Sequence, residues 1–218
     1  MIFRHLAVLA LMMTIGTVSA VPCRANFLVT ISDLSLAEKG IGFVDVMISS
    51  DAVLGDPLNF AIFQFEISTL GVTRLEFVDP QLDSQLGDSG YVFFGDGVNE
   101  NFGLPVGSVG TNVVPNDTFM GGDNTLSGSD VVVTTDRLLA RLYVTAATTL
   151  PPGIGETFTI HLVSGPLTSF ESTGGLLAYT SIDGTVNIIA ATVPEPSTFC
   201  LWAGAATVGM LTLWRRRG

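Results

Sequence analysis

Short runs of alternating apolar and polar residues recur along most of the chain. In residues 60–67, for example, Phe63, Phe65 and Ile67 alternate with polar residues. A period of two places the apolar side chains on one face of a β-strand. We predict strands in nine segments that are rich in Val, Ile, Phe and Thr and separated by Gly, Pro, Asp and Asn: Phe27–Ser32, Gly42–Ser49, Phe60–Ile67, Arg74–Val78, Tyr91–Phe94, Val131–Thr135, Leu138–Ala146, Thr157–Val163 and Leu176–Ile189.

These strands predict an all-β fold in which two sheets pack face to face as a sandwich. Within the last segment, Asp183-Gly184 is typical of a two-residue turn, which predicts a hairpin between residues 178–182 and 185–189. Gly95–Asp130 contains eight glycines and few apolar clusters, so we predict a loop there. A loop of that length is commonly functional or mobile.

The first 25 residues have the pattern of an export signal. An apolar run at Leu6–Ile15 follows Arg4, and small residues precede a cleavage position after Ala20, with Ala25 as the alternative. Such a run is too short to span a bilayer and is typical of a signal peptide. We therefore predict that the body of the protein begins near residue 21 or 26 and is exported.

The C-terminus has three parts in a fixed order: a Pro-Glu-Pro motif, an uncharged segment at residues 198–214, and three consecutive arginines. Seventeen helical residues span roughly 25 Å, enough for a short membrane crossing, and the arginines are expected to stay in the cytoplasm. The prolines prevent the helix from extending backwards. An ordinary membrane anchor would show only the apolar segment and the arginines. The residues of the motif and of the basic cluster are Pro194, Glu195, Pro196, Arg215, Arg216 and Arg217.

This arrangement resembles the PEP-CTERM sorting signal of bacterial exported proteins. The resemblance implies recognition by an exosortase, a sorting protease in the membrane, with cleavage near Pro194–Pro196 and transfer of the body to the cell surface. The predicted organisation is a signal peptide at 1–25, a β-sandwich at 26–190, a linker at 191–197, a transmembrane helix at 198–214 and a basic tail at 215–218.

The body itself resembles cohesin-type domains. The resemblance lies in the apolar patterns of residues 60–68 and 75–78, and of residues 138–144 and 155–160. It implies a nine-stranded jelly-roll sandwich. Cohesins of cellulosomes bind dockerin modules, and many carbohydrate-binding modules share the same strand pattern. The resemblance therefore implies a partner protein or a glycan as ligand.

Charge separates the body from its two ends. All 20 Asp and Glu residues lie in residues 26–197 with only four basic residues, Lys39, Arg74, Arg137 and Arg141, so this part has a net charge of −16. An acidic surface repels nucleic acid and anionic membranes. The two cysteines, Cys23 and Cys200, lie outside the body, which therefore has no disulfide.

Oxygen-bearing side chains accumulate in Gly95–Asp130. Calcium takes six to eight oxygen ligands, and candidate ligands in this segment are Asp96, Asn99, Asn101, Asp123 and Asp130. The spacing of an EF-hand loop is absent. Asp, Asn and Gly also favour turns that bind no metal, so both interpretations stay open.

No catalytic constellation is evident in the body. Gly87-Asp88-Ser89-Gly90 copies the nucleophile segment of chymotrypsin-like proteases, which also needs a histidine base upstream. The body has one histidine, His161, which alternates onto the polar face of its strand. We predict a non-catalytic protein that needs no cofactor, calcium apart. Two roles remain: a surface or matrix protein, and a module that recognises a protein or glycan at the cell surface.

Overall fold

The computed structural model describes residues 26–68, 74–146 and 155–189. A five-residue helix, α1, spans Val98–Phe102, and a 3₁₀ turn spans Ser84–Gly87. The strands in these residues are β1 (Asn26–Ile31), β2 (Leu34–Ala37), β3 (Ile41–Ser50), β4 (Asp56–Leu58), β5 (Phe60–Ile67), β6 (Leu75–Phe77), β7 (Gly107–Gly110), β8 (Thr118–Asn124), β9 (Val131–Val133), β10 (Arg137–Ala146), β11 (Glu156–Leu162), β12 (Ser169–Ser172), β13 (Gly175–Ile182) and β14 (Gly184–Ile189).

The strands form two sheets that pack as a sandwich. In the first sheet, β5 pairs with β8 on one edge and with both β11 and β12 on the other, β7 lies outside β8, and β14 and β2 lie outside β11. The second sheet has the order β13-β1-β3-β10-β6. β12 also pairs with β13 and joins the two sheets at a corner. β4 and β9 form a separate two-stranded ribbon.

The core lies between the inner faces of the two sheets. On β5, Phe63, Phe65 and Ile67 are buried and the intervening residues are partly exposed, as the alternation predicts. Aromatic rings in the core contact one another, with 6.4 Å between the ring centres of Phe63 and Phe119. Burial of large apolar side chains stabilises the fold by about 1.5–3 kcal/mol for each.

Several predicted strands are confirmed closely. β5 has the predicted bounds, and β10 begins one residue earlier than predicted, at Arg137. β11 is displaced by one residue, and His161 lies on its partly exposed face, with a side chain that is 39% exposed. Strands with a clear alternation were therefore recognisable from the sequence, because one of their faces is buried in the core.

The hairpin predicted at Asp183-Gly184 is wrong. β13 pairs in parallel with β1, whereas β14 pairs with β11 and β2, so the chain passes from one sheet to the other at Asp183. Gly184 is needed for close packing: a Cβ there would lie 2.6 Å from Cγ2 of Ile31. The Thr185 backbone N–H and hydroxyl both donate to Asp33, which fixes the crossing point.

The strand predicted at Tyr91–Phe94 is also wrong, since Tyr91 forms only an isolated bridge with Leu138 and residues 92–94 form turns. The side chains of residues 91–93 are buried. Conversely, the predicted loop Gly95–Asp130 contains α1, β7 and β8. β2, β4 and β12 were missed as well, because they are short and their apolar pattern is weak.

A turn before β8 is organised by a single carboxylate. Asp117 accepts hydrogen bonds from the backbone N–H groups of Asn112, Val113 and Val114 and from the Thr118 hydroxyl. Burial alone would raise the pKa of Asp117, but these donors outweigh it and hold the pKa below its usual value. The turn therefore depends on an ionised carboxylate.

The predicted signal peptide, linker, transmembrane helix and basic tail lie outside the described residues. Within the described ranges, no helix has the length and apolar character needed to cross a bilayer.

Candidate functional site

A groove of about 410 Å³ lies on the outer face of the first sheet, above β8. We call it the β8 groove. Its floor is formed by Gly121 and Gly122, with β5 on one side and β7 on the other. The residues that line it are Phe60, Ile62, Asn99, Val106, Gly107, Ser108, Met120, Gly121, Gly122, Asp123 and Asn124.

The groove exists because glycines replace side chains where backbones approach closely. A Cβ at Gly122 would lie 2.6 Å from the carbonyl oxygen of Ala61 on β5. A Cβ at Gly107 would lie 2.2 Å from the carbonyl oxygen of Met120. Glycine inside a strand commonly marks such an approach. Gly122 pairs with Ile62, which lines the groove, so its missing side chain leaves the floor bare, whereas a Cβ at Gly107 would point toward the buried ring of Phe119.

The walls combine apolar surface with a few polar groups. Met120 is 38% exposed, and Phe60 and Ile62 are partly exposed on the same face. Ser108 and Asn124 add polar groups to the lining. Protein ligand sites typically have this composition, in which apolar surface supplies affinity and a few polar groups fix orientation.

Helix α1 closes one end of the groove and is fastened to the sheet by Asp123. This buried carboxylate accepts hydrogen bonds from the Tyr91 hydroxyl at 2.9 Å and from the Asn99 backbone N–H at 3.1 Å. Asn99 also donates from its amide nitrogen to the carbonyl of Gly122 at 2.7 Å. Burial, together with the negative charge of Asp123, raises the pKa of Tyr91, so its hydroxyl remains a donor at physiological pH.

The sheet that carries the groove is acidic. Glu66 and Glu171 lie at partly exposed positions of its strands, which contain no lysine or arginine. The one basic side chain on these strands is His161, whose Nε2 lies 3.8 Å from a carboxylate oxygen of Glu66. The surface around the groove therefore favours a positively charged ligand.

The second sheet bears a different cluster on its outer face. The rings of Phe43 and Tyr143 lie 5.6 Å apart there, and Phe43 is 43% exposed. The Arg141 guanidinium stacks 4.7 Å from the centre of the Phe43 ring and donates to both carboxylate oxygens of Asp45. The hydrogen bonds between Arg141 and Asp45 raise the pKa of Arg141, so the cation is permanent.

Among the candidate calcium ligands, a hydrogen bond joins Asn99 to Asp123, and the other three bond to different partners. Asp96 accepts hydrogen bonds from the backbone and hydroxyl of Ser127, and Asp130 accepts from the backbone and hydroxyl of Thr173. Asp123 and Asn99 contact each other, whereas the Asn101 amide donates to the carbonyl of Gly97. The described residues contain no group of three or more acidic, His or Cys side chains that could hold a metal ion. Calcium binding stays a prediction.

The protease-like segment is not part of a catalytic arrangement in the described residues. The Asp88 carboxylate accepts a hydrogen bond from the backbone N–H of Gly90 and lies 3.5 Å from Arg141, beside the second sheet. His161 lies on β11 in the first sheet.

The predicted sorting signal lies entirely outside the described residues, so its role stays a prediction. This applies to each of its six residues: Pro194, Glu195, Pro196, Arg215, Arg216 and Arg217.

The groove could not be found from the sequence, because β8 was taken for part of a loop. Its residues read Thr-Phe-Met-Gly-Gly-Asp-Asn, in which Phe119 alone is a large inward-facing side chain. The one available signal was the pair Gly121-Gly122 beside Phe119 and Met120, since glycines next to large apolar residues can mark a close backbone approach.

No family model matches the chain, and no curated protein matches it either. Solved structures show that its fold is a cohesin-like β-sandwich. The seventh ScaB type I cohesin from Pseudobacteroides cellulosolvens is 13% identical with a TM-score of 0.51, over 78% of this chain and 96% of that one.

The sixth cohesin of scaffoldin B from Acetivibrio cellulolyticus, solved in complex with a Cel5 dockerin variant, is 14% identical with a TM-score of 0.50. The match covers 75% of this chain and 99% of that one. At these identities the similarity establishes the fold alone.

Proposed function

We propose that this protein is a non-catalytic, exported surface module that recognises a protein partner through the β8 groove. The observation that carries the proposal is the groove itself, an apolar pocket of about 410 Å³ with a floor of glycine backbone, on an exposed sheet. The fold supports it, because the similar cohesin of scaffoldin B was solved bound to a dockerin.

The groove suits a large apolar side chain of the partner. Phe60, Ile62 and Met120 would surround this anchor, and burial of one such side chain contributes about 1.5–3 kcal/mol. Because Asp123 and Tyr91 hold α1 in place, the pocket is formed before binding, which reduces the entropic cost of association. Lysine or arginine residues beside the anchor would pair with the carboxylates of this sheet.

The two terminal segments of the chain would direct its delivery to the cell surface. In this proposal the signal peptide at 1–25 directs export, and residues 198–214 hold the protein in the cytoplasmic membrane. An exosortase-type protease then cleaves near Pro194–Pro196 and transfers the body to the cell surface or the extracellular matrix. The support is the sequence pattern of these residues.

A glycan is the second candidate ligand. It is favoured by the neighbouring rings of Phe43 and Tyr143 on the second sheet, since aromatic faces pack well against the apolar faces of sugars. Asp45 and Arg141 beside them would offer hydrogen bonds to sugar hydroxyls. The two candidates use opposite faces of the sandwich, so variants can separate them.

The test is photo-crosslinking in the native host from a photoreactive residue placed at Met120. We expect one saturable adduct with a surface protein, which Ile62→Glu in the groove abolishes. The matched control is Leu176→Glu, because Leu176 is also an exposed strand residue, 78% exposed, and lies outside the groove. Adducts that are equally abundant in both variants would refute the groove as a binding site, and adducts lost only with Phe43→Glu would favour the other face.

A further inference from the structure

Strand β7 forms an open edge of the first sheet. It pairs with β8 on one side, and among the described residues no strand pairs with its other side. The Gly122 backbone N–H donates to the carbonyl of Val106 at 2.8 Å, so the Val106 carbonyl points toward β8. Backbone groups alternate in direction along a strand. The N–H and C=O groups of Gly107 and Val109 therefore face the open edge.

The four residues of β7 include no charged side chain, no proline and no bulge, three features that commonly prevent edge strands from pairing. β7 reads Gly-Ser-Val-Gly, and Ser108 and Gly110 are exposed. Exposed apolar side chains accompany it, since Leu104 is 48% exposed and Val113 is 69% exposed.

Charge decides which partner fits the open edge. Residues 101–116 contain no Asp, Glu, Lys or Arg, although residues 26–197 carry a net charge of −16. Two copies of so acidic a protein repel each other wherever their carboxylates meet. Two carboxylates reach this segment, Asp83 at Val106 and Asp117 at residues 112–114, and both are bonded to its backbone N–H groups. β7 itself is uncharged, so two copies can approach there at a lower electrostatic cost than elsewhere on the body.

We propose that two copies of this chain pair through β7, antiparallel, around a two-fold axis at Ser108. In this register Gly107 of one copy lies opposite Val109 of the other, and the two pairs exchange four backbone hydrogen bonds. The two Ser108 residues form a non-hydrogen-bonded pair with Cα atoms about 4.5 Å apart. Such a contact is self-complementary and closes at two copies, so it gives a dimer and not a fibre.

The pairing would place both β8 grooves on one surface. An axis that relates antiparallel neighbours runs perpendicular to the sheet, so the outer faces of the two copies point the same way. Ser108 lines the groove, which brings the two grooves close together beside the axis. This consequence rests on the proposed function: the dimer would bind a repeated partner twice, with a gain in apparent affinity from avidity.

Disulfide crosslinking of the full chain tests the pairing directly. In a background with Cys23→Ser and Cys200→Ser, Ser108→Cys places two thiols across the axis at a Cα separation that a disulfide accepts. Leu176→Cys is the control, because it is also an exposed residue of a strand. We expect mild oxidation to produce dimers several-fold faster from Ser108→Cys. Equal rates for the two variants would overturn the proposal.

Sedimentation of the exported protein gives the second measurement. Wild-type protein should dimerise with rising concentration, and more readily at high salt, because salt screens the repulsion between the acidic bodies. Val109→Pro removes an N–H that faces the open edge and should shift the protein to monomer, whereas Val132→Ser, at an exposed position of β9, should not. A wild-type protein that stays monomeric at all concentrations and salt levels would refute self-pairing. Both measurements omit the groove's partner, so their outcome is independent of the proposed function.

Discussion

The hydrogen bond between Tyr91 and Asp123 offers a direct test of how the groove is stabilised. Tyr91→Phe keeps the buried ring and removes only the hydroxyl, which donates to the carboxylate at 2.9 Å. Tyr91 is 1% exposed and Asp123 is 3% exposed, so water cannot replace the lost donor without rearrangement. Asp123 retains the backbone N–H groups of Asn99 and Asn124 as donors.

A hydrogen bond to a charged group contributes about 1.5–3 kcal/mol. We expect Tyr91→Phe to lower the free energy of unfolding by about 2 kcal/mol, which for a protein of this size lowers Tm by about 4–8 °C. Because Asp123 also holds Asn99, the amide protons of α1 should exchange faster with solvent.

The matched control is Tyr179→Phe. The Tyr179 ring is partly buried against Phe170, with 5.1 Å between the ring centres, and no hydrogen bond of its hydroxyl is found within the described residues. Thermal unfolding would be followed by far-ultraviolet circular dichroism, with native-state hydrogen exchange for α1. Equal stability losses in the two variants, or unchanged exchange in α1, would show that the Tyr91–Asp123 bond does not hold the groove.

Three further predictions concern pH, sorting and calcium. The pKa of Asp117 is lowered in the folded protein, so the carboxylate contributes stability above its usual pKa of 3.8, and this contribution is lost as the pH falls through the folded pKa. Asp117→Asn should therefore flatten the dependence of Tm on pH below about 5. A wild-type Tm that is constant down to about pH 2 would contradict this. Replacing Pro194–Pro196 with alanine should leave full-length protein in the cytoplasmic membrane of a host that makes the sorting protease. Replacing Arg215, Arg216 and Arg217 should instead disturb the orientation of the C-terminal segment in the membrane. Surface protein shortened at its C-terminus in the triple-alanine variant would refute the sorting signal. If Asp96 and Asp130 contribute to a calcium site, millimolar Ca²⁺ should raise Tm relative to a sample with chelator, because a ligand that binds only the folded state stabilises it. An unchanged Tm would leave these carboxylates as turn-forming groups.

What the sequence determined by itself was the set of strands that bury one face. Along β5, β10 and β11 most inward side chains are large and apolar, so a shift of one residue would expose the whole set. That local periodicity was enough to predict a β-sandwich. The resemblance to cohesin-type domains lies in the same apolar pattern. The periodicity was also enough to place His161 on an outer face.

The tertiary structure alone decided which strands pair and where the groove lies. Asp183-Gly184 has the residues of a hairpin turn, but β13 and β14 join different sheets instead of pairing with each other, and Gly184 serves the packing against Ile31. Turn residues describe the local backbone, whereas strand partners depend on contacts between residues distant in the chain.

The same reason explains why the segment Gly95–Asp130 was taken for a loop. β8 has few apolar residues of its own, and it is a strand because β5 supplies seven paired positions along its length. Gly107, Gly121 and Gly122 look like loop residues in isolation, yet in the sheet all three allow backbones to approach, and Gly122 leaves the groove open. A glycine has no side chain through which a sequence could reveal its neighbours, so the site that these glycines form existed only once the sheet was assembled.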